Sequence, residues 1–262
     1  MDESVLDTPP TKLYPKHAFI MRQLGEPAQI DEDINKLVKK VFKSRGFSTV
    51  DATSSVGAKD FLSRILSLIR GTGFTVAIFS EDTRPRSLAN IALELGFAAM
   101  CGKPLLIVKS AKAEAPSDLK RTDWLVYDPN NTAEFTATLK LALDEIESYA
   151  EFESVGLEVA INGNNTDCAV AFERANKAFL LSGDPKFIKS AEDIIRKLEG
   201  FPEDIKISDI DRLRDEINTF ILQAARAVDV ASSKKSTPKS SPKSSKTGDQ
   251  NGKISAGNHS AD

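Results

Sequence analysis

The chain has 262 residues, 40% of them hydrophobic and 28% charged, and a formal net charge of −3. That length holds one large domain or two small ones, the apolar share supports a packed core, and the mild acidity gives no global signature of nucleic-acid binding. Cys101 and Cys168 lie far apart and lack metal-ligand spacing, which argues against a disulfide framework and suits a reducing compartment. The opening MDESVLDTPP is acidic without an apolar run, and no stretch reaches about 18 consecutive apolar residues, so neither a secretory signal nor a membrane span is expected and the protein reads as cytoplasmic.

Residues 1–15 are polar and carry Pro9, Pro10 and Pro15, the composition of a flexible arm. His17 to Met21 is a short apolar run, the first strand, and it stops at the turn-like Arg22-Gln23-Leu24-Gly25. From Asp31 to Phe42 the apolar residues Ile34, Leu37, Val38, Val41 and Phe42 recur at helical spacing. Asp31, Glu32 and Asp33 open that helix and lysines follow, a charge order that suits the helix dipole. Phe47 to Val50 is a second strand leading into Asp51, and Asp60 to Arg70 is a second amphipathic helix. Phe74 to Phe79 and Leu105 to Val108 are β-branched apolar runs of the kind found in buried parallel strands. Between them a helix over about Leu88 to Cys101 ends at Gly102-Lys103-Pro104. Thr122 to Tyr127 is the last strand, and a helix runs from Thr132 to about Phe152.

Strands alternating with helices in this way imply an α/β fold, a doubly wound parallel sheet of about five strands. The chain then changes character. Cys168 to Ser182, Pro185 to Leu198 and Ser208 to Val228 read as helices, with Gly183-Asp184-Pro185 as a clear break. Two amphipathic helices on a short loop resemble one unit of a helical repeat, but no second copy follows, so a helical docking or oligomerisation region is expected. From Ser232 the Ser, Lys, Pro, Gly and Asn composition cannot bury a core. The expected division is an arm at 1–15, an α/β domain at 16–152, a helical region at 153–230 and a disordered tail at 231–262. The tail lysines, Lys234 to Lys253, lack interleaved aromatics, so nucleic acid is not the expected partner.

Ligands of doubly wound sheets bind beyond the carboxyl ends of the strands. That rule singles out the loops after Met21, Val50 and Phe79 and the start of the helix that carries Glu94. Glu94 is the one carboxylate in an almost wholly apolar helix, which is expected to be largely buried. A buried unpaired carboxylate is costly, so Glu94 either has a structural cationic partner or lines a pocket and does chemistry. Asn90, at i−4, shares its face and either caps backbone or enters the same pocket. Arg22 is either a solvated loop arginine or a ligand for phosphate or carboxylate, and Gln23 accompanies it in the loop. Asp51 stands where such folds contact ribose, and it is also ordinary turn chemistry. Ser80, Glu81 and Asp82 close the third strand, where one of them can line the site. Arg84 and Arg86 flank Pro85 and are more simply solvated. With only His17 and His259 available, a histidine-based triad or metal site has little material. Gly71-Thr72-Gly73 precedes a strand rather than a helix, so it is no dinucleotide fingerprint.

Phe19-Ile20-Met21, Phe74 to Ile78, Asn90-Ile-Ala-Leu-Glu94-Leu-Gly96 and Gly102-Lys103-Pro104 form a set. Over roughly residues 16–130 this set resembles the nucleoside 2-deoxyribosyltransferase-like proteins and the neighbouring Toll/interleukin-1-receptor (TIR)-like proteins. The resemblance implies a flavodoxin-like fold and N-glycosidic chemistry on nucleosides or nucleotides, with Glu94 acting at the anomeric carbon. Arg22, Gln23, Asp51, Ser80, Asp82 and Asn90 would then bind substrate. No cofactor or metal is expected, and on the TIR-like side nicotinamide adenine dinucleotide (NAD⁺) would be a substrate. Arg22-Gln23 replace the family's Pro-Phe pair, Ala89 stands for the Pro before the Asn, Leu93 for an aromatic, and the acid after the third strand is displaced. Two other readings stay open: a nucleotide sensor that signals through residues 155–228, and a scaffold in which Glu94 is a structural ion pair. Residues 155–228 would serve a protein partner or a homo-oligomer.

Overall fold

The computed structural model describes residues 9–54, 61–114, 124–162, 167–199 and 207–236. Its α/β part runs β1 (Tyr14–Met21), α1 (Gln29–Ser44), β2 (Ser48–Asp51), α2 (Phe61–Gly71), β3 (Thr72–Phe79), α3 (Pro85–Met100), β4 (Leu105–Ser110), β5 (Trp124–Tyr127) and α4 (Thr132–Asn162). Three more helices follow: α5 (Cys168–Ser182), α6 (Lys186–Leu198) and α7 (Ile207–Ser236). The five strands pair in parallel in the order β2-β1-β3-β4-β5, the doubly wound, flavodoxin-like arrangement.

The side-chain period of two sorts each central strand between two cores. Ala18 and Ile20 of β1, with Phe74, Val76 and Ile78 of β3, face α1 and α4. Phe19 and Met21, with Ala77 and Phe79, face α2 and α3. β3 is buried along its whole length, which explains its continuous apolar run.

A third core lies in the helical region and uses Phe179, Phe187, Ile194, Ile217 and Phe220. Phe179 and Phe220 meet edge-on at 5.5 Å. Leu13, from the segment expected to be a flexible arm, is buried in this core. That segment is further tied down by Thr11 N–H donating to Ser67 Oγ and by the Gln223 amide donating to the Pro10 carbonyl. Polar composition hid this, because the ordering depends on one leucine and on backbone groups. Residues 1–8 lie outside the described residues, as do 237–262 of the expected tail.

α4 continues ten residues beyond its expected end at Phe152, across the 152/153 division. Phe135, Leu139, Leu143 and Ile146 face the sheet, and Leu157 reaches the third core, so one helix serves both. α7 likewise extends to Ser236, past the start assigned to the tail. At the amino end of the sheet, β3 lies directly against α5. A Cβ added at Gly73 would stand 2.7 Å from the Leu180 carbonyl oxygen, which is backbone and cannot swing away. Gly73→Ala is therefore expected to cost about 2–3 kcal/mol in denaturant unfolding. Gly96→Ala, at a helical position with open space around it, is expected to gain about 0.5–1 kcal/mol.

Candidate functional site

At the carboxyl end of the sheet the loops after β1 and β3 are fastened together before they meet any ligand. The Gln23 side chain is 4% exposed. Its amide donates to the Gly25 and Glu26 carbonyls, and its Oε1 accepts from the Arg84 N–H at 3.0 Å. Ser80 and Thr83 close the β3 loop internally, with the Ser80 N–H donating to Thr83 Oγ1 at 2.8 Å. Thr83 Oγ1 in turn donates to Asp31, 1% exposed at the start of α1. Burial pushes the Asp31 carboxyl upward, and hydrogen bonds from Ser80 and Thr83 oppose that rise. The first-turn acids of α1 thus divide their work. Asp31 turns inward to the loop, and Glu32 accepts from Arg22 Nη1 at 2.8 Å.

Beside these loops opens a cleft of about 410 Å³, within the range of small-molecule sites. Its walls bring together Arg22 and Gln23 after β1, Ala52 and Thr53 after β2, Phe61 and Arg64 from α2, and Ser87, Asn90, Ile91 and Glu94 from α3. Four of the residues expected at the site therefore meet: Arg22, Gln23, Asn90 and Glu94. Asp51, Ser80 and Asp82 do not line the cleft. The Asp51 carboxylate accepts from the Thr53 N–H at 3.0 Å and organises its own turn. Ser80 is buried in the loop network, and its Oγ accepts from the Asp82 N–H. The Asp82 side chain faces solvent.

Glu94 is half-buried, and no hydrogen bond or ion pair reaches its carboxyl group among the described residues. Burial pushes it up to about 7. The arginines that share the cleft have other duties: Arg22 pairs with Glu32, and the Arg64 guanidinium lies 5.3 Å from the centre of the exposed Phe61 ring. Among the described residues, then, the Glu94 carboxyl lines the open cleft with no cation sealing it.

α3 differs from its expected state in one respect. Only Ile91, Leu95, Phe97 and Ala98 are buried, whereas Leu93 and Met100 are 50% and 67% exposed. A helix on an outer layer has one side against the sheet, and composition does not reveal that the other side is also apolar. Phe61 and Arg64 were not among the residues the sequence singled out. The signal was their position: the opening turn of the helix after β2 must lie at the carboxyl edge, close to any ligand. Among the described residues there is no group of His, Cys, Asp and Glu fit to hold a metal ion. Nor is any helix there long and apolar enough to cross a membrane.

No family model, curated protein or solved structure matches this chain.

Proposed function

We propose that this cleft binds a nucleoside or nucleotide and cleaves or transfers its N-glycosidic bond, with Glu94 at the anomeric carbon. The observation that carries the reading is a half-buried carboxyl, without a partner among the described residues, on the wall of an open cleft of about 410 Å³. A scaffold glutamate would be sealed by a cation, and among the described residues none reaches this one. The motif resemblance to nucleoside 2-deoxyribosyltransferase-like and TIR-like proteins points to the same residue.

Breaking a ribosyl–base bond builds positive charge at C1′. A Glu94 oxygen bonds to C1′ as the C1′–N bond breaks, and the electron pair leaves with the base. A neutral leaving base such as the nicotinamide of NAD⁺ needs no proton, whereas a purine or pyrimidine anion takes one from water. Water or an acceptor base then attacks C1′, loses a proton and releases the carboxylate, giving hydrolysis or transfer. Burial favours this role, because a poorly solvated carboxylate gains more from an approaching cationic centre than a hydrated one. Asn90 is placed to hold a ribose hydroxyl or to orient Glu94. The Phe61 ring offers a face for a base, and Arg64 and Arg22 supply positive charge for a phosphate.

The test is chromatographic. Wild-type protein is incubated with NAD⁺ and a panel of nucleosides and nucleotides, with and without an acceptor base. Free base or an exchanged nucleoside is the expected product. No product at high enzyme concentration, with binding of the same compounds retained, would favour the sensor reading. Arg64→Leu is expected to weaken binding of a nucleoside 5′-phosphate about tenfold and that of the bare nucleoside much less, read by titration calorimetry.

A further inference from the structure

α4 carries two apolar faces. One is accounted for: Phe135, Leu139, Leu143 and Ile146 pack on the sheet, and Leu157 reaches the third core. The other points away from both cores. Leu141, Phe152, Val155 and Val159 are each more than half exposed. With Glu145 and Ser148 they follow one another in alternating steps of four and three residues, the period of about 3.5 that makes a coiled-coil seam. A helix that packs on its own core needs one apolar stripe, and a second, exposed one marks an interaction surface.

The centre of this seam is set in advance. The Arg174 guanidinium lies 5.8 Å from the centre of the Phe152 ring and pairs with Glu153 at 3.2 Å. Gly156 makes room for it, since a Cβ there would collide with the guanidinium. Phe152 is thus braced by Arg174 while most of the side chain stays open to solvent. An aromatic anchor already held in place loses little entropy on binding.

Charge identifies the occupant. α4 holds seven acids and one lysine, Lys140. Asp144 and Glu147 are taken by Arg45, and Glu153 by Arg174. Glu145 stands in the seam itself, and Glu151 and Glu158 adjoin Phe152 and Val159. All three are exposed and have no ion pair among the described residues. A second copy of the chain would set acid beside acid along the contact, which like-charge repulsion opposes. The lysine-rich sequence beyond Ser236 offers charge, but Ile254 is its one large apolar residue, too little to cover the stripe.

We propose that this face of α4 docks a basic amphipathic helix of another protein. The partner's apolar stripe packs on Phe152, Val155 and Val159, and its lysines or arginines pair with Glu145, Glu151 and Glu158.

The test titrates the full chain, at low salt, with a designed helical peptide of about three heptads, Leu at a and d and Lys at e and g, and with its twin carrying Glu at e and g. Read by calorimetry, the Lys peptide is expected to bind saturably at one site and the Glu peptide at least about tenfold more weakly. Phe152→Asp, at an exposed position, should weaken the Lys peptide at least about tenfold. The double variant Glu151→Lys/Glu158→Lys should weaken the Lys peptide and tighten the Glu peptide, an exchange that unfolding cannot mimic. Leu222→Asp alters an exposed leucine of α7 and should change neither. Absence of saturable binding of the Lys peptide would overturn the proposal, as would equal losses in Phe152→Asp and Leu222→Asp. Sedimentation of the protein alone is expected to show no self-association through this face. A dimer that Phe152→Asp dissociates would give the face to a second copy and equally overturn the proposal.

Discussion

Glu94→Gln is expected to lower the rate of base release at least about a thousandfold while the affinity for the same nucleotide changes less than about threefold. Glutamine keeps the side chain's length and nearly its volume, so the cleft should retain its shape. It removes the negative charge and the nucleophilic oxygen, both of which act when C1′ becomes cationic. An interaction made chiefly in the transition state is lost from kcat rather than from binding, and that split separates catalysis from a merely structural glutamate. A structural ion-pair residue would change stability and affinity together and leave no such signature. Asn90→Ala is expected to show a smaller loss in the same assay, about tenfold to a hundredfold, because it removes an orienting amide and not the reacting group.

The same substitution should reshape the pH dependence of stability. The Glu94 carboxyl is raised from 4.5 to about 7 by burial alone. Between those two values the folded protein holds a proton that the unfolded chain has released, so unfolding gives up a proton. Stability then falls as pH rises through this window, and the loss is complete above about 7. A shift of this size corresponds to at most about 3 kcal/mol, and solvent at the mouth of the cleft reduces it to about 2 kcal/mol. Asp31, also raised by burial, adds a contribution of the same sign, and a glutamine at 94 leaves that one in place. Denaturant unfolding at pH 5 and pH 8 should therefore show wild-type protein losing about 2 kcal/mol more than Glu94→Gln across the interval. The variant should be the more stable of the two at pH 8. Wild-type protein that gains stability over this range relative to the variant would mean that Glu94 has a cationic partner.

Much of this architecture was legible because the periods are strong. The continuous run in β3, the 3.6-residue spacing of α1 and the Gly-Pro break after α3 each determine one element, and their alternation implies the parallel order. Element ends were less legible. α4 carries no breaker near Phe152, and only the third core, assembled from distant residues, shows why it continues to Asn162. The site divides in the same manner. Glu94 and Asn90 stand out because polar residues at i and i+4 interrupt an apolar helix. Arg22 and Gln23 follow from strand-end position, and the same rule over-reached at Asp51 and Ser80. Those two end their strands at the correct edge, but short polar side chains there are readily consumed by the turn itself, as their bonds to Thr53 and Asp82 show. Phe61 and Arg64 were hidden for the opposite reason: they look like ordinary surface positions of an amphipathic helix until the fold sets them across from Glu94.

The most direct test of a catalytic Glu94 is the pH profile of kcat/KM for base release by wild-type protein from pH 5 to 9. This quantity reports groups of the free enzyme. If the ionised carboxylate acts at C1′, the rate should rise about tenfold per unit at low pH and level off with a midpoint near 7, the value burial gives Glu94. A profile that is flat through this range, or one whose rate falls as Glu94 ionises, would contradict the account.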